Sequence, residues 1–467
     1  MLVVRRRRPS AAAPTRALVG AGAGAGGVDP VRERAMNRVR TVLVASLIGT
    51  TIEWYDFFLY STAAALVFPD LFFPGNNPVA SSLFAFGTFA VGFVARPVGG
   101  VLFGHIGDRL GRKRTLVTTM VVMGASTALI GLLPPYQQIG VAAPILLVLL
   151  RILQGLAVGG EWGGAVLLAV ENAPAGRHGL FGSVPQIGLG LGLALGTGAF
   201  TFLGRWLGND AFRSVGWRAA FVLSLLLVLI GLVVRMRVLE TPAFRELSQT
   251  AAVPVRELFQ LPRHRRNVLL GLLARWAEGA SFNTWGVFVI TYATATIHLP
   301  RTDVLVAVTM SALVMAAVAP FAGRLADRYS RRLVFGIGVA GFGLTVVPSF
   351  AVLRPGQSWL FFAVVGLQLG VWYGLMTGAE STLFAELFDT RVRYTGMSLV
   401  FQGSGIYASG LTPMILTALL AAGGATPWLA AGYLALTALI SLLAVGLIRP
   451  ADTTLAPPKE KELAPTG

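Results

Sequence analysis

Apolar residues gather in twelve long runs, separated by short polar stretches. The runs fall at about 41–67, 80–104, 115–133, 142–170, 179–203, 216–237, 267–296, 302–322, 333–352, 358–385, 395–421 and 426–449, each 19 or more residues long. A helix rising 1.5 Å per residue crosses a hydrocarbon core of roughly 30 Å with about 20 residues. Lipid offers no water to unpaired backbone groups, so a helix, which bonds all of them internally, is the required form. A membrane β-barrel would show alternating segments of about ten residues, and these runs do not alternate. The pattern predicts an all-α membrane protein with twelve transmembrane helices.

Composition sharpens this. Charged residues make up 13% of the chain and apolar residues 55%, against about 25% charged in an ordinary globular domain. That excludes a soluble enzyme and a disordered protein. The net charge of +17 would suit nucleic acid, but its placement follows membrane topology instead. Of the 38 Lys and Arg, 30 lie in the two tails and in alternate loops, and five (Arg205, Arg213, Arg218, Arg301, Arg354) lie in the loops between. Positively charged loops stay inside, so both termini are expected in the cytoplasm, in a plasma or inner membrane. Arg5 to Arg8 are not followed by an apolar core, so this is not a signal peptide; residues 1–40 read as a disordered basic tail, or translation starts at Met36. The chain has no cysteine, which excludes disulfides and thiolate metal sites. None of its histidines falls within a run, so a proton relay through the runs must use carboxylates.

Two stretches repeat. Gly104-His-Ile-Gly-Asp108-Arg109-Leu-Gly-Arg112-Lys113 follows the second run, and Gly323-Arg-Leu-Ala-Asp327-Arg328-Tyr-Ser-Arg331-Arg332 follows the eighth, 219 residues on. Glu171 before Arg177 is echoed by Glu386 before Arg391. The chain therefore divides into two six-helix halves, 41–237 and 267–449, joined by a charged loop at 238–266 and ending in a short polar tail at 450–467. Parallel repeats about an axis along the membrane normal imply a central cavity between the halves.

GHIGDRLGRK resembles the loop 2–3 signature of the major facilitator superfamily. Ile52-Glu53-Trp54-Tyr55-Asp56-Phe57-Phe58-Leu59-Tyr60, Arg96-Pro97-Val98-Gly99-Gly100 and the string from Arg151 to Gly164 resemble its metabolite:proton symporter branch. That branch includes transporters of proline/betaine, α-ketoglutarate, citrate and shikimate. One departure is Phe388-Asp389-Thr390-Arg391, where the family commonly has Pro before Thr. The resemblance implies two pseudo-symmetric six-helix bundles and uptake of a small polar metabolite driven by protons.

Charged side chains at mid-membrane cost about 2.5–3.5 kcal/mol each, which makes them functional candidates. Glu53 and Asp56 share a helix face, with Tyr60 on the same stripe. Asp56 matches Arg151 in depth, so an Asp56–Arg151 ion pair is expected, either coupling proton binding to transport or simply holding two helices together. Sugar-porter relatives place such a pair there for coupling. Arg151, Gln154 and Glu161 fall on one arc of the fourth helix and can line a cavity wall. Glu161 reads as a second proton site, a substrate contact or a satisfied buried carboxylate. Arg275 and Glu278 share a face of the seventh helix, with Trp285 further along it. Arg275 is the candidate clamp for an anionic substrate group; the alternative is an internal Arg275–Glu278 pair. Arg96 and Glu380 are placed near the ends of their helices, as gate or interface residues.

Gly104, Asp108, Arg109, Arg112, Glu171, Arg177 and Glu240, with the repeat partners Asp327, Arg331, Glu386 and Arg391, are expected to form a cytoplasmic gate of individually weak ion pairs. Glycines spaced by four (Gly155, Gly159, Gly163; Gly188, Gly192, Gly196) let helices approach closely. There is no GxxxxGK[ST] loop for ATP and no nucleophile–His or metal arrangement, so no enzymatic activity and no cofactor beyond a proton gradient is expected. The reading is a monomeric proton-coupled symporter with a small-molecule substrate, protons and lipid as partners and no nucleic acid. An efflux antiporter and a non-transporting membrane sensor are the rivals.

Overall fold

The computed structural model describes residues 30–110, 112–159, 166–239 except 168, 171, 172 and 175, and 258–449. Residues 1–29, 240–257 and 450–467, and with them Glu240, lie outside the described residues, as do Glu161, Glu171 and the side chains of Asp108, Arg109 and Arg112. Helix already begins at Pro30, inside the stretch 1–40 expected to be a disordered tail.

The elements are helices throughout the described residues. In chain order the long ones are span 1 (Pro30–Leu66), span 2 (Pro78–Leu110), span 3 (Arg112–Leu132), span 4 (Ala142–Val158), span 5 (Val184–Ala211) and span 6 (Trp217–Leu239). They continue as span 7 (from Pro262), span 8 (Arg301–Arg328), span 9 (Arg331–Val352), span 10 (Ser358–Glu386), span 11 (Arg393–Ala422) and span 12 (Trp428–Leu447). Eight of these are long and apolar enough to cross a membrane, and spans 3 and 4 are shorter apolar helices. The other two, spans 1 and 7, occupy equivalent places in the two halves. They carry Glu53 with Asp56 and Arg275 with Glu278.

Small residues bring the helices together. A Cβ on Gly155 would stand 2.9 Å from that of Ala95 in span 2, and one on Gly192 would stand 2.5 Å from that of Trp54 in span 1. The described glycines of both stripes thus close spans 4 and 5 onto spans 2 and 1, which is within the first six helices. Spans 7, 10 and 11 each contain π-helical turns (Thr284–Phe288 and Tyr292–Thr296, Gly366–Trp372, Gly405–Gly410). Such turns displace a helix locally and are frequent at functional sites. Here they flank Asn283, Tyr373 and Gly405, which face the interior cavity.

Candidate functional site

A narrow cavity lies between the first and last six helices. Spans 1, 2 and 5 contribute Trp54, Phe57, Arg96 and Gln186; spans 7, 10 and 11 contribute Arg275, Glu278, Asn283, Glu380 and Ser409. A second, smaller space lies inside the first six helices, bordered by Glu53, Arg151 and Gln154. Phe57 and Arg96 border both.

The expected Asp56–Arg151 ion pair is absent; the two are linked through other side chains. Asp56 is fully buried. Its Oδ2 receives the Thr127 hydroxyl at 3.3 Å, and its Oδ1 has no hydrogen-bond partner. Thr127 Oγ1 in turn accepts from Gln154 Nε2 at 2.8 Å, and Gln154 Oε1 accepts from Arg151 Nη1 at 2.5 Å. The order is Asp56–Thr127–Gln154–Arg151. Two local effects keep the guanidinium from the carboxylate. Gln154, one helical turn on, captures Nη1, and the guanidinium lies 4.0 Å over the Tyr60 ring and 4.7 Å over Phe57. Gly92 makes room for it, since a Cβ there would stand 2.5 Å from Arg151 Nε. Tyr60 is buried beneath Arg151 and donates to Thr88 Oγ1 at 2.6 Å, so it supports the site without lining the cavity.

Arg275 is not an open anion clamp. Its Nε donates to Glu380 Oε1 at 2.8 Å, its Nη2 lies 3.3 Å from Glu278 Oε2, and its Nη1 donates to Ser404 Oγ at 3.1 Å. The guanidinium also lies 3.8 Å over Phe401. Two carboxylates therefore share one arginine, all buried. Glu380, placed by sequence near a helix end, is in this cluster because span 10 packs its buried face toward span 7. Arg96 likewise is no interface residue. It is 3% exposed and sits over Phe93 and Phe57 at 4.4 and 4.5 Å. Among the described residues it has no acidic partner within 4 Å. Trp285, expected to contact substrate, packs against Phe350 with ring centroids 5.1 Å apart and does not line the cavity. The π-helical turn beginning at Thr284 turns its ring toward span 9.

At the end of the bundle where span 8 meets span 9, Asp327 accepts from the backbone N–H of Gly179 at 2.6 Å and of Leu180 at 2.9 Å. Arg331 reaches Asp327 at 3.9 Å and also pairs with Glu386. Of the predicted gate residues described in full, Asp327, Arg331 and Glu386 are thus brought together, across to the start of span 5. Arg177 is exposed beside this junction and Arg391 is exposed between spans 10 and 11. Gln402 Nε2 donates to Gly159 O at 2.8 Å, and Gln186 Nε2 to Ser381 Oγ at 3.1 Å, further inward.

Sequence reasoning missed Thr127 and Ser404. Hydroxyls in membrane helices usually bond their own helix, as Thr127 also does to Met123 O at 2.9 Å, so nothing in the pattern singles them out.

A bundle of apolar helices closed around a cavity with paired and unpaired charges is the architecture of a membrane transporter. Residues 41–251 match the model of the sugar (and other) transporter family and residues 271–467 that of the major facilitator superfamily. The chain belongs to the major facilitator superfamily. It is 42% identical to the inner membrane metabolite transport protein YhjE of Escherichia coli (strain K12), over 81% of this chain and 88% of that one. It is 40% identical to the shikimate transporter of the same organism (83% and 89% covered). With the glycine betaine/proline/ectoine/pipecolic acid transporter OusA of Dickeya dadantii it shares 33% (87% and 82%). The crystal structure of a D-xylose-proton symporter superposes with a TM-score of 0.69 at 17% identity, covering 89% of this chain and 98% of that one. The twelve-helix fold expected from the sequence is thereby established, and with it a multi-pass membrane protein whose class is transport.

Proposed function

We propose that the chain is a proton-coupled symporter that takes up a small polar metabolite by alternating access. One observation carries this reading. Asp56 is wholly buried, has no cation within 4 Å among the described residues, and is joined by Thr127 and Gln154 to Arg151 at the wall of a cavity. An uncompensated charge in such a place costs several kcal/mol. The protonation state of Asp56 is therefore tied to whether the bundle is open or closed around it. Gln154 and Thr127 pass a change at Arg151 to that carboxyl through hydrogen bonds alone. Glu53 borders the same inner space and serves as an accessory proton group, with Glu161, outside the described residues, as a further candidate.

Substrate occupies the larger cavity between the halves. Asp327, Arg331 and Glu386 hold the cytoplasmic side shut, both termini lie in the cytoplasm, and the proton gradient is the only co-reactant. The likeness to a D-xylose-proton symporter and to a shikimate transporter supports this reading. The test is uptake of radiolabelled metabolites by cells expressing the chain, with and without a protonophore. Protonophore-sensitive accumulation is expected. Protonophore-insensitive uptake, or gradient-driven export from loaded vesicles, contradicts symport.

A further inference from the structure

The polar groups that face the larger cavity have a direction, and that direction selects a substrate chemistry. This inference rests on the reading of that cavity as the substrate site.

On the side of the first six helices stands Arg96, a buried donor without an acidic partner within 4 Å among the described residues. On the side of the last six stand two buried groups, each with one oxygen that accepts no hydrogen bond. Glu278 is 1% exposed, and its Oε2, though 3.3 Å from Arg275 Nη2, makes no hydrogen bond. Asn283 is 2% exposed, and its Oδ1 is also unsatisfied, because its Nδ2 is turned back to Gly279 O at 2.9 Å. All three line the same cavity. Buried polar atoms are normally satisfied, so a molecule filling this space is expected to bring an acceptor to Arg96 and donors to Glu278 and Asn283.

We propose that the site takes a small monocarboxylate bearing N–H or O–H donors away from its carboxyl group. The carboxylate pairs with Arg96, and an ammonium or hydroxyl group faces Glu278 and Asn283.

Two neighbouring chemistries fit poorly. A dicarboxylate would set its second charge against Glu278 and Glu380. A quaternary ammonium has no N–H for the two acceptors. It would need open aromatic faces, but Phe57 and Phe93 already carry Arg96, and Phe401 carries Arg275. Phe282 packs on Phe58 and Tyr373. The assignment also moves the carboxylate anchor from Arg275, which is held by two acids, to Arg96.

The experiment uses the full chain in lipid nanodiscs and measures ligand binding by thermal stabilisation, with no gradient applied. Binding thus separates this inference from proton coupling, which only uptake reports. The probes are matched pairs: shikimate against cyclohexenecarboxylate, and pipecolate against its N,N-dimethyl derivative, with succinate as the dicarboxylate. At least one donor-bearing probe should bind, and its donor-free partner should bind about tenfold or more weakly, as expected when a buried acceptor is left unpaired. Asn283→Leu should lower affinity for the donor-bearing probe toward that of its partner while leaving the partner unchanged. Arg96→Gln should abolish binding of both, with the fold checked by circular dichroism. Equal affinity within the pairs, preference for succinate, binding that survives Arg96→Gln, or no binding by any probe overturns the proposal. If the binding pattern holds while uptake ignores a protonophore, the symport reading fails and this one stands.

Discussion

The Thr127 hydroxyl lies 3.3 Å from Asp56 Oδ2 and 2.9 Å from Met123 O. It has one proton for two acceptors, while Gln154 occupies its lone pair. The link from Arg151 to Asp56 therefore runs through a hydroxyl that can serve the carboxyl or its own helix.

Removing that hydroxyl separates the two charged groups. Thr127→Val keeps the shape of the side chain but leaves Gln154 Nε2 and Asp56 without their partner. We expect proton-driven uptake to fall about tenfold, in line with the roughly 1–3 kcal/mol of an unsatisfied buried group. Thr127→Ser should retain most of it. Initial rates of uptake in proteoliposomes under a fixed pH gradient decide this, and wild-type rates for Thr127→Val would count against the link.

Arg275 compensates two buried carboxylates at once. Arg275→Gln leaves Glu278 and Glu380 without their cation, at a cost of about 3–5 kcal/mol. Its Tm in detergent should drop clearly below that of the wild type. Arg275→Gln with Glu380→Gln removes one of the stranded charges and should recover part of the loss. An unchanged Tm for the single variant would mean that the cluster does not hold spans 7 and 10 together.

Asp327 binds the backbone of the other half at Gly179 and Leu180. Hydrogen bonds to a charged acceptor contribute about 1.5–3 kcal/mol, so Asp327→Ala should shift the population toward forms open at that end. The chain has no cysteine, so Ser409→Cys in the cavity wall reports access without background. Its reaction with a membrane-impermeant thiol reagent added from the Asp327 side should quicken several-fold in the Asp327→Ala chain. An unchanged rate would remove Asp327 from the gate.

The fold was legible because lipid leaves few choices. Twelve apolar runs of sufficient length, and the repeat of Asp108 by Asp327, carry the architecture without any tertiary information. The intramembrane charges were legible as candidates for the same reason, since Asp56, Arg151, Arg275 and Glu278 are too costly to bury idly. Their partners were not. Helix spacing sets which residues share a face, but not how spans turn toward one another. It therefore paired Asp56 directly with Arg151 and gave Arg275 to the substrate. Distance along a run does not give depth, which is why Arg96 and Glu380 lie deeper than the sequence implies. Span 2 extends past its apolar core to Leu110, which puts Arg96 further inward, and the buried face of span 10 carries Glu380 against Arg275. Trp285 lies where span 7 has a π-helical turn, which the regular 3.6-residue spacing does not foresee.

The central claim is that Asp56 carries the coupling proton. The most direct measurement is pH inside proteoliposomes loaded with a pH-sensitive dye, as a transported metabolite is added outside. The wild-type chain should acidify the lumen as metabolite enters. Asp56→Asn should insert normally and exchange labelled for unlabelled metabolite across the membrane, with no acidification and no uphill accumulation. Acidification and accumulation at wild-type rates by Asp56→Asn would contradict it.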